Sequence, residues 1–508
     1  MWRSFVESLL QKDNERCAAG LLIVAIGLAG TCIFFVGPLY FGDVGPYLAG
    51  AYSLVYTGQI LDTSGGPFLH WAPLMTVVYA PVYWLQIPVV IWVRLVKCAS
   101  LIMYAFATVA VLKKLLANTR LASIATVCSL FWSPIFTRFL SMESEPLFLA
   151  LLALCVYAFV RLLESKEPRW LMLMISTSVV NALLRYSGLF TIAGFAVGII
   201  FFLKHPLKQR MKYAVLYVVG SGMGLMLWFI RNAFFTGAAV DRRALFHPPN
   251  FFSVMDQFFS FCVSLTATRG PSFGFVLFVL VAVMCICWYR YARSSMPTMS
   301  RSIIAMLTLA AWLYIFLILV THYYIDLTTT ITPRLIVPAL YFLYVSSVVV
   351  FVFLLKRLNY RTVTAGLILF FGIVVIESAG TMYNLIGLHD LFGRERGLVT
   401  ALQRVDVFQY GDPVYSNDDE FMFFVTNRYI QPTPYKHDRS HYTDNPTYQN
   451  EIDQMIAEVK KGAAIIYIRQ YYYEGYQMPL EDLQQLPSLK PVYVSQRVVV
   501  FTYAAPQQ

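Results

Sequence analysis

Long apolar runs separated by short polar joints fill the first three quarters of the chain. Crossing the hydrocarbon of a bilayer as a helix takes roughly 20 apolar residues. Runs of that order occur at about 17–38, 89–112, 121–137, 146–163, 170–186, 187–203, 213–232, 272–288, 302–320, 335–355 and 362–382. The pattern predicts an all-α polytopic membrane domain, 1–382, with about eleven transmembrane helices. One further run, 73–85 (PLMTVVYAPVYWL), is too short to span at about 1.5 Å per residue, and Pro81 interrupts it. It is expected to lie along the membrane surface, as is the amphipathic stretch before it. The first loop then covers about 39–88. After residue 383 the pattern changes to alternating β-branched and aromatic runs at 463–468 and 491–503, with a helical stretch at 451–461. Residues 383–508 therefore read as a small α/β domain outside the membrane.

Composition agrees with a membrane protein. Of the 508 residues, 58% are hydrophobic and only 13% charged, outside the range of soluble globular chains. The net charge of +11 does not indicate nucleic acid. Its cations sit in short joints: Arg3/Lys12/Arg16, Lys113/Lys114/Arg120, Arg161/Lys166/Arg169, Lys204/Lys208/Arg210/Lys212, Arg290/Arg293/Arg301 and Lys356/Arg357/Arg361. The spans above place all six clusters on one side, which the positive-inside rule makes cytoplasmic. The first run lacks a small-residue cleavage site and reads as a retained helix. The cysteines end at Cys287, with no metal-ligand spacing and no disulfide framework. No N-x-S/T sequon with an allowed middle residue occurs, Asn445-Pro446-Thr447 being blocked by its proline, which tilts the source towards bacteria.

The polar residues that basic joints do not explain fall on the opposite, outer side. Asp43, Asp62 and His70 lie in the first loop, Arg138, Glu143 and Glu145 in the second, and Arg185-Tyr186 at the end of the fifth span. Arg231-Asn232, Asp241-Arg242-Arg243, His247 and Arg269 follow in a long loop, and His322, Asp326 and Arg334 in the next. Guanidinium groups fork onto phosphate and a carboxylate can act as general base, so this side suits a phosphate-bearing lipid substrate. Plainer roles compete. Arg138, Arg231 and Arg334 can be snorkelling anchors, Glu145 before Pro146 can complement a helix dipole, and Asp43 can cap the helix beginning near Gly45-Pro46. Asp62 before Ser-Gly-Gly reads as a turn residue, and His322 and Asp326 as solvated loop residues.

FGDVGPYLAGAYSL (41–54) followed by LHWAPL (69–74) resembles the first outer loop of the GT-C glycosyltransferases. The nearest branch is that of the protein O-mannosyltransferases and lipid A aminoarabinose transferases. SMESEPLFLALLAL, LLRYSGL, WFIRNAFFTG and TPRLIVPALY resemble later segments of bacterial relatives. Departures are visible. Val44 follows Asp43 where many relatives have a second acid, Ala72 replaces one proline of a Pro-Pro pair, and His70-Trp71 stands where the aminoarabinose transferases carry lysine. The resemblance implies transfer of a sugar, with inversion, from a polyprenyl-phosphate-linked donor to a glycan, lipid or protein acceptor outside the cytoplasmic membrane. It implies Asp43 as general base, with Glu143 and Glu145 orienting the acceptor or helping Asp43 hold an optional divalent cation. His70, Arg185, Tyr186, Arg231 and Arg334 then bind the substrate. The alternative is a transporter or flippase of a lipid-linked saccharide. It would use charges buried within spans, for which Arg94, Lys97 and Glu377 are the candidates, and it would show inverted repeats, which the chain does not.

Overall fold

The computed structural model describes residues 15–35, 43–240, 296–324, 333–355, 402, 414–437, 443–469 and 477–504. Its helical part runs α1 (Glu15–Phe35), α2 (Val44–Thr57), α3 (Leu74–Trp84), α4 (Val89–Leu116), α5 (Thr119–Phe131) and α6 (Ser133–Leu140). It continues with α7 (Glu145–Ser165), α8 (Pro168–Leu184), α9 (Gly188–Phe202), α10 (Leu207–Thr236), α11 (Thr298–Tyr324) and α12 (Pro333–Leu355). Among the described residues six helices are long and apolar enough to cross a membrane, namely α1, α4, α7, α10, α11 and α12. The α5–α6 pair, bent by 63°, adds a seventh if it is counted as one broken span. Helices α8 and α9, at 17 and 15 residues, are shorter. The spans expected at 272–288 and 362–382 lie outside the described residues, as do Asp241, Arg242, Arg243, His247, Arg269, Asp326 and Glu377.

The run at 73–85 forms the 11-residue helix α3, about 16 Å long at 1.5 Å per residue and too short to span. It packs on α2, as two short helices lying side by side in the first loop. Between them Asp62 is the turn residue its Ser-Gly-Gly context predicts. Its Oδ1 accepts from the amides of Ser64 at 2.9 Å and Gly66 at 2.8 Å.

Ion pairs show which helix ends share a face. Lys113 Nζ meets Glu15 Oε1 and Lys114 Nζ meets Glu164 Oε1, both at 2.8 Å. Ser300 Oγ donates to the Leu115 carbonyl at 3.2 Å. The start of α1, the end of α4, the end of α7 and the start of α11 therefore lie together, as the charge pattern requires. The acidic loop at 141–144, the Arg185–Ser187 turn and the start of α12 lie at the other end. The Arg185–Ser187 turn is sharp. A Cβ on Gly188 would stand 2.7 Å from Ala182 Cα and N, so α9 can fold back on α8 only with glycine there.

The polar region forms a five-stranded sheet from β1 (Val414–Ser416), β2 (Gln431–Pro432), β3 (Ala464–Ile468), β4 (Leu489–Val494) and β5 (Val498–Tyr503). The order is β2-β1-β3-β5-β4, with β1 parallel to β2 and β3, and β5 antiparallel to β3 and β4. The apolar run at 491–503 turns out to be a hairpin, reversed around Ser495–Arg497. Alternation along β3 and β5 supplies two cores. Ile466, Ile468, Val498 and Val500 face Phe421 and Met422 of α13 (Asp419–Thr426). Ile465, Tyr467, Val499 and Phe501 face Ile452, Met455 and Val459 of α14 (Tyr448–Lys460). One more helix, α15 (Leu480–Gln484), adds Leu483 to this second core.

The sheet region is not separate from the helical one. Helix α13 packs on α2, and Phe423 belongs to the core of the helical domain. Tyr52 of α2 lies 6.1 Å from the rings of both Phe423 and Tyr429. Tyr83 Oη donates to Asn427 Oδ1 at 2.9 Å, the Ile430 amide donates to the Thr63 carbonyl at 2.9 Å, and Gln431 Nε2 donates to the Ser64 carbonyl at 3.0 Å.

Candidate active site

Arg334, in the first turn of α12, draws three acids from distant parts of the chain to one guanidinium. Its Nη2 pairs with Asp43 Oδ2, and its Nε lies 2.7 Å from Glu145 Oε1 and 3.0 Å from Glu143 Oε1. Arg185, in the turn after α8, pairs with Glu145 Oε1 and donates to Ser144 Oγ at 3.1 Å. Arg138 Nη1 stands 3.5 Å from Glu143 Oε2. The outer acids and arginines thus form one network, and Arg138 is part of it rather than a membrane anchor. The helix-end roles expected of two of these acids divide, since Glu145 does lie in the first turn of α7, where it complements the dipole. Asp43 precedes α2 without a side-chain cap bond, and Glu145 begins α7 with its side chain turned to Arg185 and Arg334.

Burial separates the three acids. The Glu143 and Glu145 side chains are 1% and 2% exposed, whereas that of Asp43 is 25% exposed. Asp43 is therefore the most accessible of the three acids. Burial, and then the charge of Glu145, raise the Glu143 carboxyl above the usual carboxylate range, against the pull of Arg138, Arg185 and Lys97. Glu145 Oε2 is buried without a hydrogen-bond partner among the described residues.

The acidic loop is fixed residue by residue. Ser141 bonds back to the Arg138 carbonyl at 2.8 Å, and the Met142 carbonyl accepts from Tyr79 Oη of α3 at 2.7 Å. The Glu143 carbonyl accepts from Lys97 Nζ of α4, and Ser144 Oγ accepts from Arg185. Burial pushes the Tyr79 hydroxyl up, so it stays a neutral donor. Sequence reasoning had not placed Lys97, Tyr79 or Ser144 at the site. Lys97 carried a signal, an isolated ammonium within an apolar span; Tyr79 and Ser144 carried none.

The remaining expected substrate-binding residues gather beside this network around Trp71. The Tyr186 hydroxyl donates to the Trp71 carbonyl at 2.9 Å and lies 3.3 Å from that of Leu69. Trp228 Nε1 reaches the same hydroxyl at 3.4 Å. Arg231 lies over the Trp228 ring, 4.9 Å from its centroid, and donates to Asn232 Oδ1 at 3.0 Å. His70 stands edge-on to Trp71 with centroids 4.6 Å apart. Arg185 and Tyr186 are neighbours in sequence, so one turn serves both groups. His322, expected in a solvated loop, is buried near the end of α11. Among the described residues no group of three His, Cys, Asp or Glu side chains is arranged to hold a metal ion; the acids at the site turn to arginines.

No protein-family model matches the chain, and no curated protein matches it. Solved structures do. ArnT from Cupriavidus metallidurans bound to undecaprenyl phosphate aligns with a TM-score of 0.60 at 13% identity, covering 96% of this chain and 98% of that one. The apo state of the same protein aligns with a TM-score of 0.59 at 14% identity, covering 97% of this chain and all of that one. The chain therefore shares the fold of ArnT over nearly its whole length.

Proposed function

We propose that the protein is an integral-membrane glycosyltransferase that moves a sugar from a polyprenyl-phosphate-linked donor to an acceptor hydroxyl, with inversion. The observation that carries this reading is the shared guanidinium of Arg334, which holds a partly exposed carboxylate beside two buried ones. A neutral hydroxyl is a weak nucleophile. Proton removal by a positioned carboxylate contributes roughly 10²–10⁴-fold. Asp43 takes that proton as the acceptor oxygen bonds to the anomeric carbon. The bond from that carbon to the phosphate oxygen breaks, and its electron pair leaves with the lipid phosphate.

Arg334 has two uses in this scheme. A phosphate competes with the Asp43 carboxylate for the guanidinium fork, so donor binding frees an Asp43 oxygen while Arg334 meets the charge that grows on the leaving group. Arg231 on its tryptophan face and His70 beside Trp71 would bind the donor further out, and Tyr186 and Arg185 hold the turn between the two groups. Glu145, with one buried oxygen open, would orient the acceptor, together with Glu143. ArnT, which shares the fold, has been captured with undecaprenyl phosphate, in keeping with a lipid-linked donor here. The site would then lie on the extracytoplasmic face of a cytoplasmic membrane, a reading that the basic joints support. Residues 383–508 then form an extracytoplasmic domain seated on the first loop, and the acceptor is a glycan, lipid or protein. The flippase alternative draws no support from Lys97. That buried charge is tied to the acidic loop.

Incubating the purified protein with a mixed pool of polyprenyl-phosphate sugars and cell-envelope acceptors tests the reading. A new glycosidic product with release of polyprenyl phosphate is expected. Movement of the lipid-linked sugar across vesicles without any glycosidic product would overturn it in favour of transport.

A further inference from the structure

We propose that Lys97 is a positioning residue for this site, anchoring the Glu143 carbonyl and supplying the buried positive charge that balances the Glu143 and Glu145 carboxylates. Lys97 lies in α4, about 12 Å along the helix from its start at 1.5 Å per residue. It is 1% exposed, and its Nζ donates to the Glu143 backbone oxygen. An ammonium so placed in an apolar span is costly unless nearby charge compensates it. Nearby opposite charge comes from the carboxylates of Glu145 and Glu143, with Arg138 opposing.

The Lys97 side chain bonds the main chain of the loop, which the side chains of the three arginines do not. Arg138, Arg185 and Arg334 contact side-chain atoms of residues 143–145, whereas Lys97 holds the main chain between them. The groups facing Glu143 are Lys97 from α4, Arg138 from α6, Glu145 from α7, Arg185 after α8, Arg334 from α12 and Tyr79 from α3.

Lys97 also adds to the charge of the site. With it four cations (Lys97, Arg138, Arg185 and Arg334) surround the acids Asp43, Glu143 and Glu145, and the raised Glu143 carboxyl leaves the cluster with a surplus of positive charge. That surplus suits a phosphodiester donor, whose leaving phosphate gains a second negative charge during transfer. This last step rests on the glycosyl-transfer reading; the anchoring and the balance with Glu143 do not.

The test uses full-length protein in lipid nanodiscs and two readouts. Infrared spectroscopy follows the protonated Glu143 carboxyl, identified by the band that Glu143→Gln removes. Rate profiles follow the acid limb of transfer. Lys97→Gln keeps a hydrogen-bond donor but loses the charge. It should carry the Glu143 band, and with it the acid limb, upward by about one pH unit or more. Lys97→Arg keeps the charge and should leave both near their wild-type positions. A Lys97→Gln protein that titrates like wild type, or a Lys97→Arg protein that shifts as far as Lys97→Gln, would overturn the proposal. Should Lys97→Gln fail to fold, the pair Lys97→Gln/Glu143→Gln restores the balance. Recovery of folding by the pair supports the role, and a pair no more stable than Lys97→Gln refutes it. Absence of transfer in the wild type would count against the glycosyltransferase reading alone, because the infrared arm needs no turnover.

Discussion

Arg334 contacts Asp43 across 291 positions of sequence and Glu145 across 189, and no local pattern encodes such a meeting. What the sequence does carry at this scale is residue type and side of the membrane. An isolated acid after the first span, two acids before the fourth and arginines at span ends were all legible as one group, opposite the basic joints. Their convergence was not. Arg138 shows the limit, since a span-end arginine that anchors and one that pairs with a buried acid look alike until the acid is placed. Glu143 yields a pH prediction. Its carboxyl lies above the ordinary 4.5 through burial and the charge of Glu145. Between the two values the native protein holds more protons than the unfolded chain. The stability this group contributes is complete below 4.5 and is lost as pH rises through the raised value. Thermal unfolding in nanodiscs should therefore show wild type losing more stability than Glu143→Gln on going from acid to neutral pH. A parallel fall in the two proteins would refute the burial argument.

Helices were legible where hydrophobic length settles the matter. The exclusion of 73–85 from the spans followed from its length and its proline, and α3 is an 11-residue helix in the first loop. The hairpin inside 491–503 was less visible, because Ser495-Gln496-Arg497 has no glycine or proline to announce a turn. Least visible was the seat of α13 on α2. Alternation in the C-terminal strands reports only the sheet's own two faces, whereas the docking residues Phe423 and Tyr429 lie in a short helix and the loop after it. Gly45 marks this contact. A Cβ there would overlap the Glu420 backbone, 2.6 Å from its carbonyl carbon. Since backbone cannot swing away as a side chain can, Gly45→Ala should cost about 1–3 kcal/mol and loosen the C-terminal domain over Asp43. Limited proteolysis near residue 430 should accelerate in the variant. Unchanged cleavage and unchanged thermal stability would show that the seat tolerates displacement.

For the whole molecule, the arrangement rests on a face carrying the basic joints and an opposite face carrying the acids. In a background stripped of native cysteine, a single cysteine replacing the exposed Gln59, after α2, should react with an impermeant thiol reagent in intact cells. One replacing the exposed Lys208, at the start of α10, should react only after permeabilisation. Labelling of position 208 from outside would invert the topology. The account's central claim is that Asp43 activates the acceptor while the arginines hold the donor, and one paired measurement addresses it. Turnover and polyprenyl-phosphate binding are measured on the same reconstituted Asp43→Asn protein. Asparagine keeps the size of the side chain and removes the base. Turnover should fall by at least ~10²-fold while phosphate binding persists, whereas Arg334→Ala should weaken binding itself through a lost charge-assisted contact. Near-normal turnover by a stably inserted Asp43→Asn protein would contradict the assignment.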